Sequence, residues 1–137
     1  MKNLNYEYYL NSEYNWVKWV TKIQGNNLWI NLWIIALTHG NEYVWLKVFE
    51  RLQEQIDSWL NFKWNIYFIV ANIDAFNEYI KQNNPYKYRF LDKDMNRISK
   101  YEYNKNISEV KRFEQLKNIF DELDVVIDLH SLPVGDE

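Results

Sequence analysis

The chain has two histidines, His39 and His130, and no cysteine, so a metal would have to be held by imidazole and carboxylate. Each histidine directly follows an apolar run that reads as a buried strand. Groups beyond the carboxyl ends of parallel strands converge on one crevice, so these two can meet although they are far apart in the chain. Glu42 stands three residues after His39. If Gly40 and Asn41 make a tight turn into a helix, imidazole and carboxylate point at one ion. Two imidazoles and one carboxylate leave one position of a tetrahedral zinc ion open to water, as catalytic zinc sites do, and such an ion acidifies water and polarises a carbonyl. On spacing alone H-x-x-E is a common pattern, and a strand-end histidine is often a hydrogen-bonded structural residue. The placement of both histidines favours ligation. Asp128, two residues before His130, reads either as an acceptor that orients an imidazole or as a buried carboxylate capping a neighbouring loop.

A second cluster runs Arg89-Phe90-Leu91-Asp92-Lys93-Asp94-Met95-Asn96-Arg97. Charge runs are usually solvated surface, and that suits Lys93. Arginine, however, is scarce here, 4 against 12 lysines, and two of the four stand in this stretch. Guanidinium binds carboxylates through paired hydrogen bonds that lysine cannot reproduce, which points to an anionic substrate.

These groups need a scaffold. Residues 29–37, 64–71 and 124–129 are short apolar runs rich in β-branched residues and read as buried strands. Residues 43–60 carry Val44, Leu46, Val48, Phe49, Leu52 and Ile56 at helical spacing, and residues 109–123 carry Val110, Phe113, Leu116, Ile119 and Phe120 likewise. A short helix is expected over 74–81 and a loop over 82–100. Residues 1–27 are weakly patterned, with an edge strand or hairpin over 17–23. Strand, helix, strand, helix, strand predicts an α/β layer with parallel crossovers in a single domain, residues 1–137.

Composition narrows the function classes. With 16 basic and 19 acidic residues the net charge is −3, so no basic field exists to hold a nucleic-acid backbone. No apolar run approaches the roughly 20 residues of a membrane span, and the N-terminus lacks an apolar signal core. A soluble, cytoplasmic protein is expected, and the lack of cysteine suits that compartment. Nothing here specifies an oligomeric state.

Taken together, Thr38-His39-Gly40-Asn41-Glu42, Arg89 with Asp92 through Asp94-Met95-Asn96-Arg97, and Asp128-Leu129-His130-Ser131 resemble the succinylglutamate desuccinylase/aspartoacylase family, a branch of the zinc carboxypeptidase superfamily. The resemblance spans residues from about 30 to 132. It implies a carboxypeptidase-like three-layer α/β/α fold with a mostly parallel or mixed sheet. It implies one Zn2+ held by His39, Glu42 and His130. Arg89 matches the arginine that polarises the scissile carbonyl and stabilises the oxyanion, and Asn96 with Arg97 matches the pair that grips the substrate carboxylate. The implied activity is deacylation of a small anionic N-acyl amino acid. The alternatives are a metallocarboxypeptidase acting on a peptide C-terminus, or a non-catalytic fragment that keeps the fold. The family's general base is a glutamate well downstream of the last histidine. Glu137 is too close to His130 for that role, so a catalytic domain incomplete at its C-terminus, with an unprotected sheet edge, is expected.

One feature of composition stands apart. Glycine is 3 of 137 residues, where usage near 7% is ordinary, while tryptophan reaches 7. Together the two make an ordinary glycine complement. Asn, Lys, Ile and Tyr, all with A/T-rich codons, number 18, 12, 13 and 11. The composition therefore predicts an A/T-rich genome in which UGA is read as glycine, so that the seven tryptophans stand at glycine positions. The other reading is a genuinely tryptophan-rich core. Trp33 and Trp45 bracket the metal motif, and Trp59 and Trp64 flank the turn before a strand, where relatives commonly have glycine.

Overall fold

The computed structural model describes residues 7–26, 30–58, 63–82, 87–98 and 104–131. In chain order its elements are α1 (Glu7–Leu10), β1 (Glu13–Tyr14), β2 (Val17–Lys18), β3 (Val20–Ile23), β4 (Asn31–Ala36), α2 (Val44–Ser58), β5 (Asn65–Val70), α3 (Ile73–Gln82), α4 (Ser108–Lys117) and β6 (Val125–Asp128). Short 3-10 turns lie at Met95–Arg97 and Phe120–Glu122. The main sheet has the order β3-β5-β4-β6. β4 runs parallel to both β5 and β6, and β3 runs antiparallel to β5. The sheet is therefore mixed, with a parallel core and an antiparallel strand on one edge.

Side chains alternate across this sheet because a strand has a period of two. On one face Leu32, Ile34 and Ala36 of β4 and Ile66, Phe68 and Val70 of β5 pack against Tyr9, Leu46, Phe49, Ile73 and Phe76 from α1, α2 and α3. On the other, Trp33, Tyr67 and Ile69 meet Val17, Val20, Leu116 and Ile119. Helical segments thus cover both faces, which makes three layers. β5 is buried at every position, as a central parallel strand covered on both faces must be. Asn72 starts α3: its side-chain oxygen accepts the Ala75 N–H at 3.2 Å, supplying one of the donors a helix start leaves free with a partner.

Three expectations need correction. The apolar run 124–129 is a strand, but not a buried one. Val125, Val126 and Ile127 are 45–46% exposed, because among the described residues β6 pairs only with β4 and the α4 side chains pack over β4 and β5 instead. Apolar composition identifies a strand without saying whether it lies inside the sheet or at its edge. The helix expected over 109–123 ends at Lys117. Asn118 closes it, and Ile119 leaves helical geometry at φ −118°, ψ 2° with its side chain fully buried. Burial of that one residue outweighs continuation of the helical pattern. Residues 82–100, expected as loop, include the 3-10 turn at Met95–Arg97.

Two tryptophans hold unusual backbone positions. Trp16 and Trp19 have φ of 65° and 61°, the left-handed region that costs an ordinary L-residue about 1–2 kcal/mol. Trp16 is also 93% exposed, so little packing offsets that cost. The indole N–H groups of Trp33 and Trp45 are buried without an acceptor, each a cost of about 1–3 kcal/mol. Trp29 and Trp59 lie outside the described residues.

Candidate metal centre

The parallel register brings the two histidines together. Ile35 of β4 lies opposite Asp128 of β6, and the Leu129 N–H continues the ladder to the Ile35 carbonyl at 2.9 Å. His39 and His130 therefore leave the same edge of the sheet on adjacent strands. A second tie, the Thr38 hydroxyl donating to Asp128 Oδ1 at 2.9 Å, fixes the two strand ends against each other. After His39 the chain turns tightly: the Glu42 N–H donates to the His39 carbonyl at 3.1 Å. Gly40 is required in that turn, because a Cβ on it would lie 2.4 Å from the Ala75 carbonyl carbon at the start of α3.

The result is one cluster. Ligand atoms of His39, Glu42 and His130 all lie within 4.8 Å of one another. His39 and Glu42 are each 3% exposed, and the two imidazole centroids are 5.2 Å apart. Each ring has a carboxylate behind it. His39 Nε2 lies 3.2 Å from Asp94 Oδ1 and His130 Nε2 lies 2.7 Å from Asp128 Oδ2. A carboxylate oxygen faces both nitrogens of each ring, so the other contacts choose the tautomer: the Arg89 N–H 2.9 Å from His39 Nδ1 makes that nitrogen the acceptor and leaves the proton on Nε2, and on His130 the much shorter contact is the one from Nε2 to Asp128. His39 Nδ1 sits 3.1 Å from Glu42 Oε1, and His130 Nδ1 sits 3.5 Å from Glu42 Oε2. His130 Nδ1 and Glu42 Oε2 are buried with no hydrogen-bond partner.

That donor set fits zinc. Three acceptors face one another in a buried place: Arg89 donates to His39 Nδ1 and Glu42 Oε1, while Glu42 Oε2 and His130 Nδ1 have no donor and gain from a cation between them. Neutral imidazoles oriented by carboxylates, with a glutamate, are the ligands a catalytic zinc ion takes.

Arg89 belongs to the same cluster. Its guanidinium reaches His39 Nδ1 at 2.9 Å and Glu42 Oε1 at 3.3 Å, and its carbonyl accepts the Gly40 N–H at 2.8 Å. Strained backbone lies immediately beside the site: Leu37 has φ 59° and Tyr88, the residue before Arg89, has φ 65°. Such conformations persist where surrounding structure over-determines them, typically at functional positions. Asn96 and Arg97 are exposed on the 3-10 turn. Asn96 approaches the site, with Nδ2 3.5 Å from His130 Nε2; the turn thus brings this pair to the rim rather than into the ligand cluster.

Sequence reasoning passed over Asp94 as the partner of His39. The signal was available, a carboxylate two residues before Asn96, but nothing in spacing pairs it with an imidazole so far upstream. Burial works against its ionisation. The Asn96 N–H, His39 and Arg97 outweigh that and hold the Asp94 carboxyl below the usual range. For Asp128, the orienting reading agrees with its contact to His130, whereas the buried-cap reading does not: its side chain is 33% exposed. Glu137 lies outside the described residues, and among those residues no helix is long and apolar enough to cross a membrane.

No curated protein and no solved structure matches the chain. The succinylglutamate desuccinylase/aspartoacylase catalytic-domain family model does match, over residues 29–135. That span contains both central parallel strands, the edge strand β6 and every group of the cluster. The chain belongs to the succinylglutamate desuccinylase/aspartoacylase family, whose catalytic domain has a carboxypeptidase-like α/β fold.

Proposed function

We propose that this chain carries the metal site of a zinc-dependent deacylase that cleaves the amide bond of a small, anionic N-acyl amino acid. The observation that carries the reading is the convergence of His39 Nδ1, Glu42 and His130 Nδ1, with two of these acceptors buried and unpartnered. His39, Glu42 and His130 would hold the ion, and zinc in such a site supplies Lewis acidity toward an amide carbonyl and toward water. The rest of the chemistry belongs to the chain. Asp94 and Asp128 keep protons on the outer imidazole nitrogens and so leave the inner nitrogens as acceptors, with Arg89 on that of His39 when no ion is bound. Arg89, beside the cluster, places fixed positive charge where an amide oxygen gains negative charge. Asn96 and Arg97 on the adjoining turn bind the substrate carboxylate, where a guanidinium can pair both oxygens. Asp94 and Asp128 are committed to the imidazoles, so neither of these described carboxylates serves as the general base.

A direct test offers the zinc-loaded full-length product of the gene N-succinylglutamate, an N-acylaspartate and a short peptide ending in glutamate, and follows release of free amine. Release from the acyl amino acids supports the proposal. Release from the peptide alone identifies a carboxypeptidase, and tight zinc binding without turnover of any of the three identifies a non-catalytic domain.

Where turnover is measurable, the arginines separate kinetically. Arg97→Ala raises KM by about 10-fold or more with kcat little changed, the signature of lost uniform binding. Arg89→Ala lowers kcat by about 10²–10³-fold, the usual loss on removing one preorganised oxyanion partner. Asp94→Asn weakens zinc binding by about 10–100-fold, as loss of an imidazole's carboxylate partner does elsewhere, and isothermal titration reads it directly.

A further inference from the structure

We propose that Glu109 is the positioning residue for the loop beside the metal centre, an inference that rests on the zinc reading above. Glu109 lies in the first turn of α4 and is fully buried. Its carboxylate accepts the N–H groups of Leu91, Asp92 and Lys93 at 2.7, 3.3 and 3.3 Å and the Asn72 side-chain amide at 3.2 Å. Three consecutive amides turned to one carboxylate form an anion nest, here filled by the protein's own side chain. The hold is mutual, since Asp92 accepts the Ser108 N–H at the start of α4 at 3.0 Å. One residue beyond Lys93 stands Asp94, which orients His39, and two residues before Leu91 stands Arg89. Glu109 touches none of the ligand groups. It acts through backbone, by fixing the segment on which the carboxylate behind His39 and the guanidinium beside it are both mounted.

The test compares Glu109→Gln with the unsubstituted chain by zinc titration and residue-resolved amide hydrogen exchange. Glutamine keeps the shape but turns an N–H2 group toward N–H donors. Zinc affinity is expected to fall about 10–100-fold, and the amides of Leu91, Asp92 and Lys93 to exchange faster while those of β5 do not change. Unchanged affinity or unchanged exchange overturns the proposal. If Glu109→Gln does not fold, the unsubstituted chain decides: its amides at 91–93 must exchange as slowly as those of α4, and fast exchange there overturns the idea. If the unsubstituted chain binds no zinc, the deacylase reading fails, and the hold on the loop is judged by exchange alone.

The geometry points independently to glycine at Trp16 and Trp19 in the protein as its own cells make it, in line with the composition's reading of UGA as glycine. Among the described residues only Asn15, Leu37 and Tyr88 share positive φ with Trp16 and Trp19. Bulky side chains are genuine outliers there, and glycine is the default occupant. Trp16 gains no burial in return, and Trp33 and Trp45 each bury an indole N–H with no acceptor. Trp16 and Trp19 thus sit where glycine removes a backbone conflict, while Trp33 and Trp45 bury an unpaired indole N–H although both pack against the core, and the composition extends the inference to Trp29, Trp59 and Trp64. Reading the seven codons, together with peptide masses of the protein isolated from its natural source, tests this. UGA codons and glycine-containing peptides are expected. UGG codons, or peptides that retain tryptophan, overturn it.

Discussion

His39→Ala, Glu42→Gln and His130→Ala each lower zinc affinity by on the order of 10³-fold while leaving the far-ultraviolet circular dichroism unchanged. The size follows from ligand arithmetic: apparent zinc affinities of four-ligand protein sites amount to about 10–16 kcal/mol, so one ligand of a small set accounts for several kcal/mol, about three powers of ten. The fold survives because these groups stand beyond the ends of β4 and β6 and are not part of the packed clusters on either face of the sheet. Glu42→Gln is the most informative of the three. It preserves volume and replaces an anion with a neutral amide whose N–H2 must face an imidazole lone pair 3.1–3.5 Å away. Titration with zinc, with competition by a chelator, reads all three. Equal affinity in the three variants and the unsubstituted chain would sink the metal assignment.

Arg112→Ala destabilises the fold by about 3–5 kcal/mol, visible as a lowered urea midpoint. Arg112 is 5% exposed. Its Nε donates to the Ala71 carbonyl at 3.0 Å, one terminal nitrogen to the Val70 carbonyl at 2.8 Å, and the other to the Gln115 side chain at 3.2 Å. Burial pulls its guanidinium down to about 10, with Asp74 acting in the opposite direction, so it stays cationic at neutral pH. Truncation leaves two buried carbonyls at the end of β5 without donors, each costing about 1–3 kcal/mol, and removes packed volume besides. Arg112→Lys recovers little of the loss, because one ammonium cannot span two carbonyls in a fixed fork. A Lys variant as stable as the parent would show that charge alone matters there. The effect reaches the site: Asn72, two residues past β5, binds both α3 and Glu109.

Much of this was legible in the chain. The β-branched runs at 29–37 and 64–71 announced the strands found at Asn31–Ala36 and Asn65–Val70, since a sheet core favours such residues. The apolar stripe of 43–60 announced the helix found at Val44–Ser58. His39 and Glu42 were readable as a pair because three residues across a tight turn is a local relation, settled by backbone geometry and by the glycine between them. Trp16 and Trp19 were suspect from composition, but their left-handed backbone was not visible there.

Contacts between distant segments were another matter. Asp94 behind His39, Glu109 beneath residues 91–93 and Arg112 on the end of β5 are pairings of residues far apart in the chain, and no periodicity encodes them. Nor did the apolar run of β6 disclose that it would be an exposed edge. The amino-acid order by itself determined the element types, the local His39–Glu42 turn and the chemistry on offer, because these depend on neighbouring residues. Parallel strands were expected from the order of the elements, but the tertiary structure alone decided that β4 and β6 are immediate neighbours, and that adjacency is what sets His130 within reach of Glu42.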